Sequence, residues 1–164
     1  IRTFATQYPA QPARVLATVN QRILQDASAN LFVSVFYGVL NPVTGQLLYA
    51  NAGHPPPFLV TQLSGVHSLR NTGMPLGIDE ESTWGQELVA INPGDVLLMY
   101  TDGVTDAQNQ LGEFINRDSI LEAAQDCPGK PVDLIRQSIL EIVHDFVGEA
   151  PRFDDITLVV LSRD

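Results

Sequence analysis

Tyr100-Thr101-Asp102-Gly103-Val104-Thr105-Asp106 decides how the rest of this chain is read. It follows Asp95-Val96-Leu97-Leu98-Met99, an apolar run short enough for a buried strand. The Asp-Gly pair stops that strand. Glycine lets the backbone turn sharply, which leaves the Asp102 carboxylate at the strand's end. An anionic oxygen placed there suits a hard cation such as Mg or Mn. Asp-Gly is also among the commonest turn dipeptides, so on spacing alone an ordinary turn stays open. A second acidic pair, Asp154-Asp155, stands just before the last apolar run, Ile156 to Leu161. Two candidate buried strands thus each carry an acid at one end.

The bulk composition sets limits. A length of 164 residues predicts a single domain, 1–164. With 45% hydrophobic and 17% charged residues the chain can bury a core and is not disordered. A net charge of -10 argues against a nucleic-acid backbone and against an anionic membrane surface as partner. The single cysteine, Cys127, excludes an intrachain disulfide and a Cys-rich zinc site, and reads as a small half-buried side chain. No run approaches the length of a membrane span, and Ile1-Arg2-Thr3-Phe4 lacks the apolar core of a secretion signal. These features predict a cytoplasmic location, and a first residue other than Met points to a segment excised from something longer.

Along the chain, Pro12 to Ala27 reads as an amphipathic helix. Val15, Leu16, Val19, Ile23 and Leu24 recur at helical spacing, with Arg14, Gln21, Arg22 and Gln25 towards solvent. Leu31 to Leu40 is β-branched and aromatic, a strand that returns as Gln46 to Asn51 across Asn41-Pro42-Val43-Thr44-Gly45. Two more hairpins are expected: Phe58–Gln62 with Val66–Leu69, and Gln86–Ile91 with Val96–Tyr100. Between them, Arg70 to Trp84 has no clean period and is long for a connection, a length at which loops are often functional or mobile. Ala107 to Glu113 reads as a turn and Arg117 to Gln125 as a short helix capped by Asn116. Pro131 to Val147 is the strongest helix, with Leu134, Ile135, Ile139, Ile142, Val143 and Phe146 on one face and Gly148 as its stop. Hairpins, then helices, then a closing strand predict an α+β layered domain.

Other residues that attract notice carry less. His54, in Ala52-Gly53-His54-Pro55-Pro56-Pro57, reads as a structural hydrogen-bonder beside a stiff turn rather than a ligand or base. His67 and His144 have no acidic or thiol neighbour at ligand spacing, and Met74 and Met99 read as core. There is no Gly-rich phosphate loop and no Gly-x-Ser-x-Gly elbow.

Taken in order, the motifs are more specific than any one of them. A long helix leads to Leu31–Leu40. Then follow Tyr49-Ala50-Asn51-Ala52-Gly53-His54-Pro55-Pro56-Pro57, Met74-Pro75-Leu76-Gly77-Ile78, Pro93-Gly94-Asp95, the Asp102 stretch, and Asp154-Asp155-Ile156-Thr157-Leu158-Val159-Val160. This series resembles the bacterial SpoIIE/RsbU-type branch of the metal-dependent Ser/Thr protein phosphatases (the PPM, or type 2C, family), over nearly the whole chain. The resemblance implies an α+β fold, a layered antiparallel β-sandwich flanked by helices. It implies hydrolysis of phosphoserine or phosphothreonine with two Mn or Mg ions, about 3.5–4 Å apart, that activate a water. It also implies that Asp102 is a metal ligand and that Asp154, rather than its neighbour Asp155, is another, with Asp106 near the site but not in it. The implied substrate is a phosphorylated anti-sigma-factor antagonist in a signal-transduction pathway of sigma factor regulation, and family members often carry an upstream sensor or receiver domain.

One departure matters. The family's further acidic ligands come from early motifs, a Gly-Gly-Asp and an Asp-Val-Ser-Gly-His-Gly type of turn. This chain has no Gly-Gly dipeptide and nothing before Pro12 resembles either motif. The resemblance therefore implies a domain lacking its N-terminal strands and part of its metal site, so that this segment by itself is inactive or weakly active. Missing strands would leave sheet edges open, which predicts a homodimer or strand exchange, a state light scattering reads directly. The rival reading is a pseudophosphatase that keeps the fold, lacks the metal set and acts as a phosphoprotein-binding or regulatory module.

Overall fold

The computed structural model describes residues 1–26, 31–151 and 154–163. In chain order it forms α1 (Arg2–Gln7), α2 (Pro12–Asp26), β1 (Val35–Leu40), β2 (Gln46–Ala52), β3 (Phe58–Thr61), β4 (Gly65–Ser68), β5 (Glu87–Ala90), β6 (Val96–Tyr100), α3 (Asp102–Thr105), α4 (Arg117–Gln125), α5 (Val132–Val147) and β7 (Leu158–Ser162). Two compact units result: Ile1–Pro56 with Arg70–Ala90, and Pro57–Leu69 with Ile91–Asp164.

In the first unit α2 does what its spacing predicts. Val15, Leu16 and Val19 are buried with Ala50, Ala52, Leu76 and Trp84, while Arg14, Gln21, Arg22 and Gln25 are exposed. Full burial of such a Leu or Val contributes about 1.5–3 kcal/mol. Ala27, the last residue expected in this helix, lies outside the described residues. The sequence pattern gave no sign of α1. It forms because Phe4 and Tyr8 pack on the α2 cluster, and the Arg14 guanidinium lies 4.0 Å over the Tyr8 ring.

The first sheet is antiparallel in the order β1-β2-β5. The β1–β2 turn is set by Asn41, whose side-chain oxygen accepts from the Val43 and Thr44 amides at 3.0 and 3.1 Å. The strand expected from Leu31 begins only at Val35. β2 ends at Ala52, opposite Val35, so nothing continues the ladder for the residues before it. Val33 instead pairs with Leu76 in an isolated bridge.

The hairpin expected between Gln86–Ile91 and Val96–Tyr100 is not formed. β5 pairs with β2, and β6 pairs with β3 and β7 in the other sheet. β6 has both edges taken, and side chains add to the hold of β2 on β5. Glu87 on β5 accepts from the Tyr49 hydroxyl on β2 at 2.9 Å and from Arg70 Nε at 2.7 Å. β6, buried at four of its five positions, takes neighbours on both edges. The intervening Asn92–Asp95 turn closes on the Asp95 carboxylate, which accepts from the Asn92 amide at 2.8 Å, and the Gly94 amide donates to the Arg163 carbonyl.

Arg70 to Trp84 is not a free loop. The buried Asn20 of α2 accepts from the Gly77 amide at 2.7 Å and donates to the Asp79 carbonyl at 2.9 Å. The Trp84 ring nitrogen donates to the Met74 carbonyl at 2.8 Å. Gly77, at φ 88, has no room for a side chain, since a Cβ would lie 2.7 Å from the Leu31 carbonyl. Met74, expected in the core, is 42% exposed, and its sulfur accepts from the Ser82 hydroxyl.

The second unit holds the antiparallel sheet β4-β3-β6-β7 and the helices α4 and α5. Phe58, Val60, Val96, Leu98 and Tyr100 of the sheet share a core with Ile120 and Ala124 of α4 and Ile135, Ile139 and Val143 of α5. Asn116 caps α4 as expected, accepting from the Asp118 amide at 2.9 Å. Leu134, assigned to the buried face of α5, is 53% exposed; the stripe runs through Ile135, Ile139 and Val143. Cys127 is fully buried rather than half-buried, and burial pushes its thiol up to about 11.

The Tyr49–Glu87–Arg70 contact yields a pH prediction. Hydrogen bonding to Arg70, then to Tyr49, holds the Glu87 carboxyl below its usual value. A depressed carboxylate adds stability above its unfolded pKa, near 4.3, and loses it as pH falls through the lower folded value. The melting-temperature gap between wild type and Glu87→Gln should therefore be widest at neutral pH and shrink below about pH 4. Tyr49→Phe should cost about 1 kcal/mol at neutral pH. A gap independent of pH would contradict this role.

Candidate metal centre

β6 and β7 are antiparallel neighbours whose last pair is Tyr100 and Leu158. Beyond it, Thr101 continues the connection. Its amide donates to the Thr157 carbonyl at 3.0 Å, and its hydroxyl accepts from the Thr157 amide and donates to the Asp155 carbonyl, both at 2.9 Å. A hydroxyl can do both at once. Thr101-Asp102 and Asp154-Asp155 are thereby drawn to the same end of one sheet, although they are far apart in sequence.

Gly103 acts differently from the expected sharp turn. It has no positive φ and lies inside the single-turn helix α3, which starts at Asp102. What requires glycine is proximity: a Cβ there would sit 2.5 Å from the Asp155 carbonyl oxygen and 2.9 Å from its carbon. The two acidic segments approach backbone to backbone because this position has no side chain.

Asp102 and Asp154 are both exposed, and each turns one carboxylate oxygen back on its own successor. Asp102 accepts from the Gly103 amide at 3.1 Å, and Asp154 accepts from the Asp155 amide at 2.7 Å. Among the described residues neither forms an ion pair with Lys or Arg. Two hard carboxylates with no Lys or Arg paired to them among the described residues fit a divalent cation in their donor chemistry. They fit as part of a ligand set, because among the described residues no group of three or more His, Cys, Asp or Glu is placed to hold an ion. Asp155 differs from Asp154 in that its carbonyl is taken up by Thr101 and lies against Gly103. Asp106 is exposed and its carboxylate accepts from the Thr105 hydroxyl at 3.3 Å. Asp154 and Gly103 also line a groove of about 520 Å³ beside α5, whose polar lining includes Arg136, Glu141 and His144.

The remaining histidines behave as structural residues. The buried Asn51 side chain donates to the His54 carbonyl at 3.1 Å and accepts from the His54 amide at 2.9 Å, so the Asn51–His54 turn is closed by asparagine. His67 Nε2 is 2.7 Å from the Ser64 hydroxyl. Thr101 is the residue that sequence reading passed over. Its only signal is a β-branched hydroxyl between a strand and an Asp-Gly pair.

The family model described as Stage II sporulation protein E (SpoIIE) matches residues 1–164. Among curated proteins the chain is 34% identical to Protein IcfG of Synechocystis sp. over 82% of its own length and 21% of that protein's. It is 28% identical to phosphoserine phosphatase RsbU of Bacillus subtilis over 93% of its own length and 45% of that protein's. It thus spans less than half of either relative. Among solved structures the SiaA-PP2C domain of Pseudomonas aeruginosa superposes with a TM-score of 0.81 at 20% identity, covering 93% of this chain and 61% of that one. The fold is therefore of the α+β, PP2C-like kind, with two antiparallel sheets and flanking helices.

Gly103→Ala tests the close approach. The new methyl must displace the Asp155 backbone, at an expected cost of about 1–3 kcal/mol in a thermal or urea melt. A melt indistinguishable from wild type would show that the segments part without penalty.

Proposed function

We propose that this chain, which belongs to the SpoIIE family, is the catalytic portion of a metal-dependent phosphoserine/phosphothreonine protein phosphatase. The observation that carries the reading is the convergence of Thr101-Asp102-Gly103 and Asp154-Asp155 at one end of β6 and β7. Similarity to a phosphoserine phosphatase over 93% of the chain supports it.

In this reading Asp102 and Asp154 offer carboxylate oxygens to the metal ions, and Thr101 holds the strand ends that carry them. Gly103 lets the two segments meet. When bound, two Mn or Mg ions lower the pKa of a water and offset charge on the phosphoryl oxygens. The other acidic ligands are those of the family's upstream motifs. The substrate we infer is a phosphorylated anti-sigma-factor antagonist, by similarity to RsbU. We infer by the same resemblance that the parent protein carries an upstream sensor or receiver domain.

The test is Mn-dependent hydrolysis of an aryl phosphate by this chain beside a form extended upstream of Ile1, each with and without Asp102→Asn. Activity confined to the extended form and reduced at least a hundredfold, about 2.7 kcal/mol, by Asp102→Asn is the expected result. An extended form with no Mn-dependent activity would favour the pseudophosphatase reading.

A further inference from the structure

Thr101 does not use its hydroxyl as its position in the fold would suggest. It is the N-cap of α3, with the extended backbone of that position, φ -84 and ψ 161, yet its side chain caps nothing in the helix. A threonine at an N-cap ordinarily accepts from an amide of the first turn. In α3 those amides are served by other groups: Gly103 donates to the Asp102 carboxylate at 3.1 Å, and Val104 donates to the Thr101 carbonyl at 3.0 Å. The hydroxyl is turned to the other acidic segment instead. It donates to the Asp155 carbonyl and accepts from the Thr157 amide, both at 2.9 Å. One side chain thereby grips the main chain on both sides of Ile156, past the last ladder pair of Tyr100 and Leu158.

The gripped stretch begins at the residue on which Asp154 is anchored. The Asp154 carboxylate accepts from the Asp155 amide at 2.7 Å, just as the Asp102 carboxylate accepts from Gly103. Gly103 and Asp155 are also the residues whose backbones meet, where a Cβ on Gly103 would fall 2.5 Å from the Asp155 carbonyl oxygen. Each carboxylate is therefore bonded to one of the two residues in contact, and the Thr101 hydroxyl closes that contact. A shift in the main chain of residue 155 moves the amide that orients Asp154. Groups one step out from a metal that orient its ligands typically change affinity by about 10–100-fold.

We propose that Thr101 is a positioning residue of the metal centre. Its hydroxyl acts through the main chain of residue 155 to hold the Asp154 carboxylate at the end of the sheet where Asp102 stands. This role rests on the phosphatase reading, and in it Asp155 serves through its backbone.

The test is calorimetric titration of Mn into the upstream-extended form. Thr101→Val keeps the shape and removes the hydroxyl, and should weaken Mn binding about tenfold or more. Thr101→Ser keeps the hydroxyl and should stay within about threefold of wild type. Without metal, hydrogen exchange at the Thr157 amide should be at least about tenfold faster in Thr101→Val than in wild type. Ile139→Val, a change in the core of the same unit, should lower the melting temperature and leave Mn affinity unchanged. The proposal is overturned by wild-type Mn affinity or wild-type Thr157 exchange in Thr101→Val. It is overturned equally by Thr101→Ser or Ile139→Val weakening Mn binding as much as Thr101→Val does. In any of these cases the phosphatase reading stands if wild type binds Mn and Asp102→Asn loses it. A wild-type protein that binds no Mn would overturn both.

Discussion

The contact of Gly103 with the Asp155 backbone, clamped by the Thr101 hydroxyl, is the constraint on which the metal-centre reading depends. A β-ladder holds two strands at a fixed spacing, but it ends at Tyr100 and Leu158. Past that point the chains would part. A threonine hydroxyl that donates to one carbonyl and accepts from one amide extends the connection by side-chain chemistry. A glycine then leaves out the Cβ that would collide with the Asp155 backbone. The sheet core beneath, which includes Phe58, Val96, Leu98, Tyr100 and Val143, anchors the strands that carry the two segments.

The sequence made much of this legible, for identifiable reasons. The helices α2 and α5 followed from apolar spacing and α4 from the Asn116 cap, because these signals are local. Hairpins with Asn41 and Gly65 at their turns were readable for the same reason. The false hairpin between β5 and β6 shows where local reading stops. Two short strands joined by a Pro-Gly turn look like partners, yet β6 is paired on both edges by β3 and β7, and β5 pairs with β2, where Glu87 bonds Tyr49 and Arg70, both distant in sequence. Likewise α1 is held by Phe4 and Tyr8 against another helix, and its own pattern is too short to announce it.

The site followed the same division. Asp102 and Asp154 could be picked out as acids at strand ends, and the ordered motifs tied them to one family. Thr101 could not, since its role exists only once β6 and β7 lie side by side. Gly103 was noticed for the wrong property: a conformational freedom it does not use, in place of a missing side chain that it does. Asn51 and Asn20, both buried and both closing turns onto backbone groups, explain two conspicuous motifs, Gly-His-Pro and Pro-Leu-Gly, as structural devices.

The central claim is that Asp102 and Asp154, and not Asp155, form this chain's share of a divalent-metal site. Calorimetric titration of Mn into the upstream-extended form tests it most directly, using Asp154→Asn and Asp155→Asn in parallel with Asp102→Asn. The account predicts that Asp102→Asn and Asp154→Asn each weaken Mn binding at least about tenfold, or ~1.4 kcal/mol, while Asp155→Asn leaves it near wild type. Affinity lost with Asp155→Asn and kept with Asp154→Asn, or unchanged in all three, would contradict it.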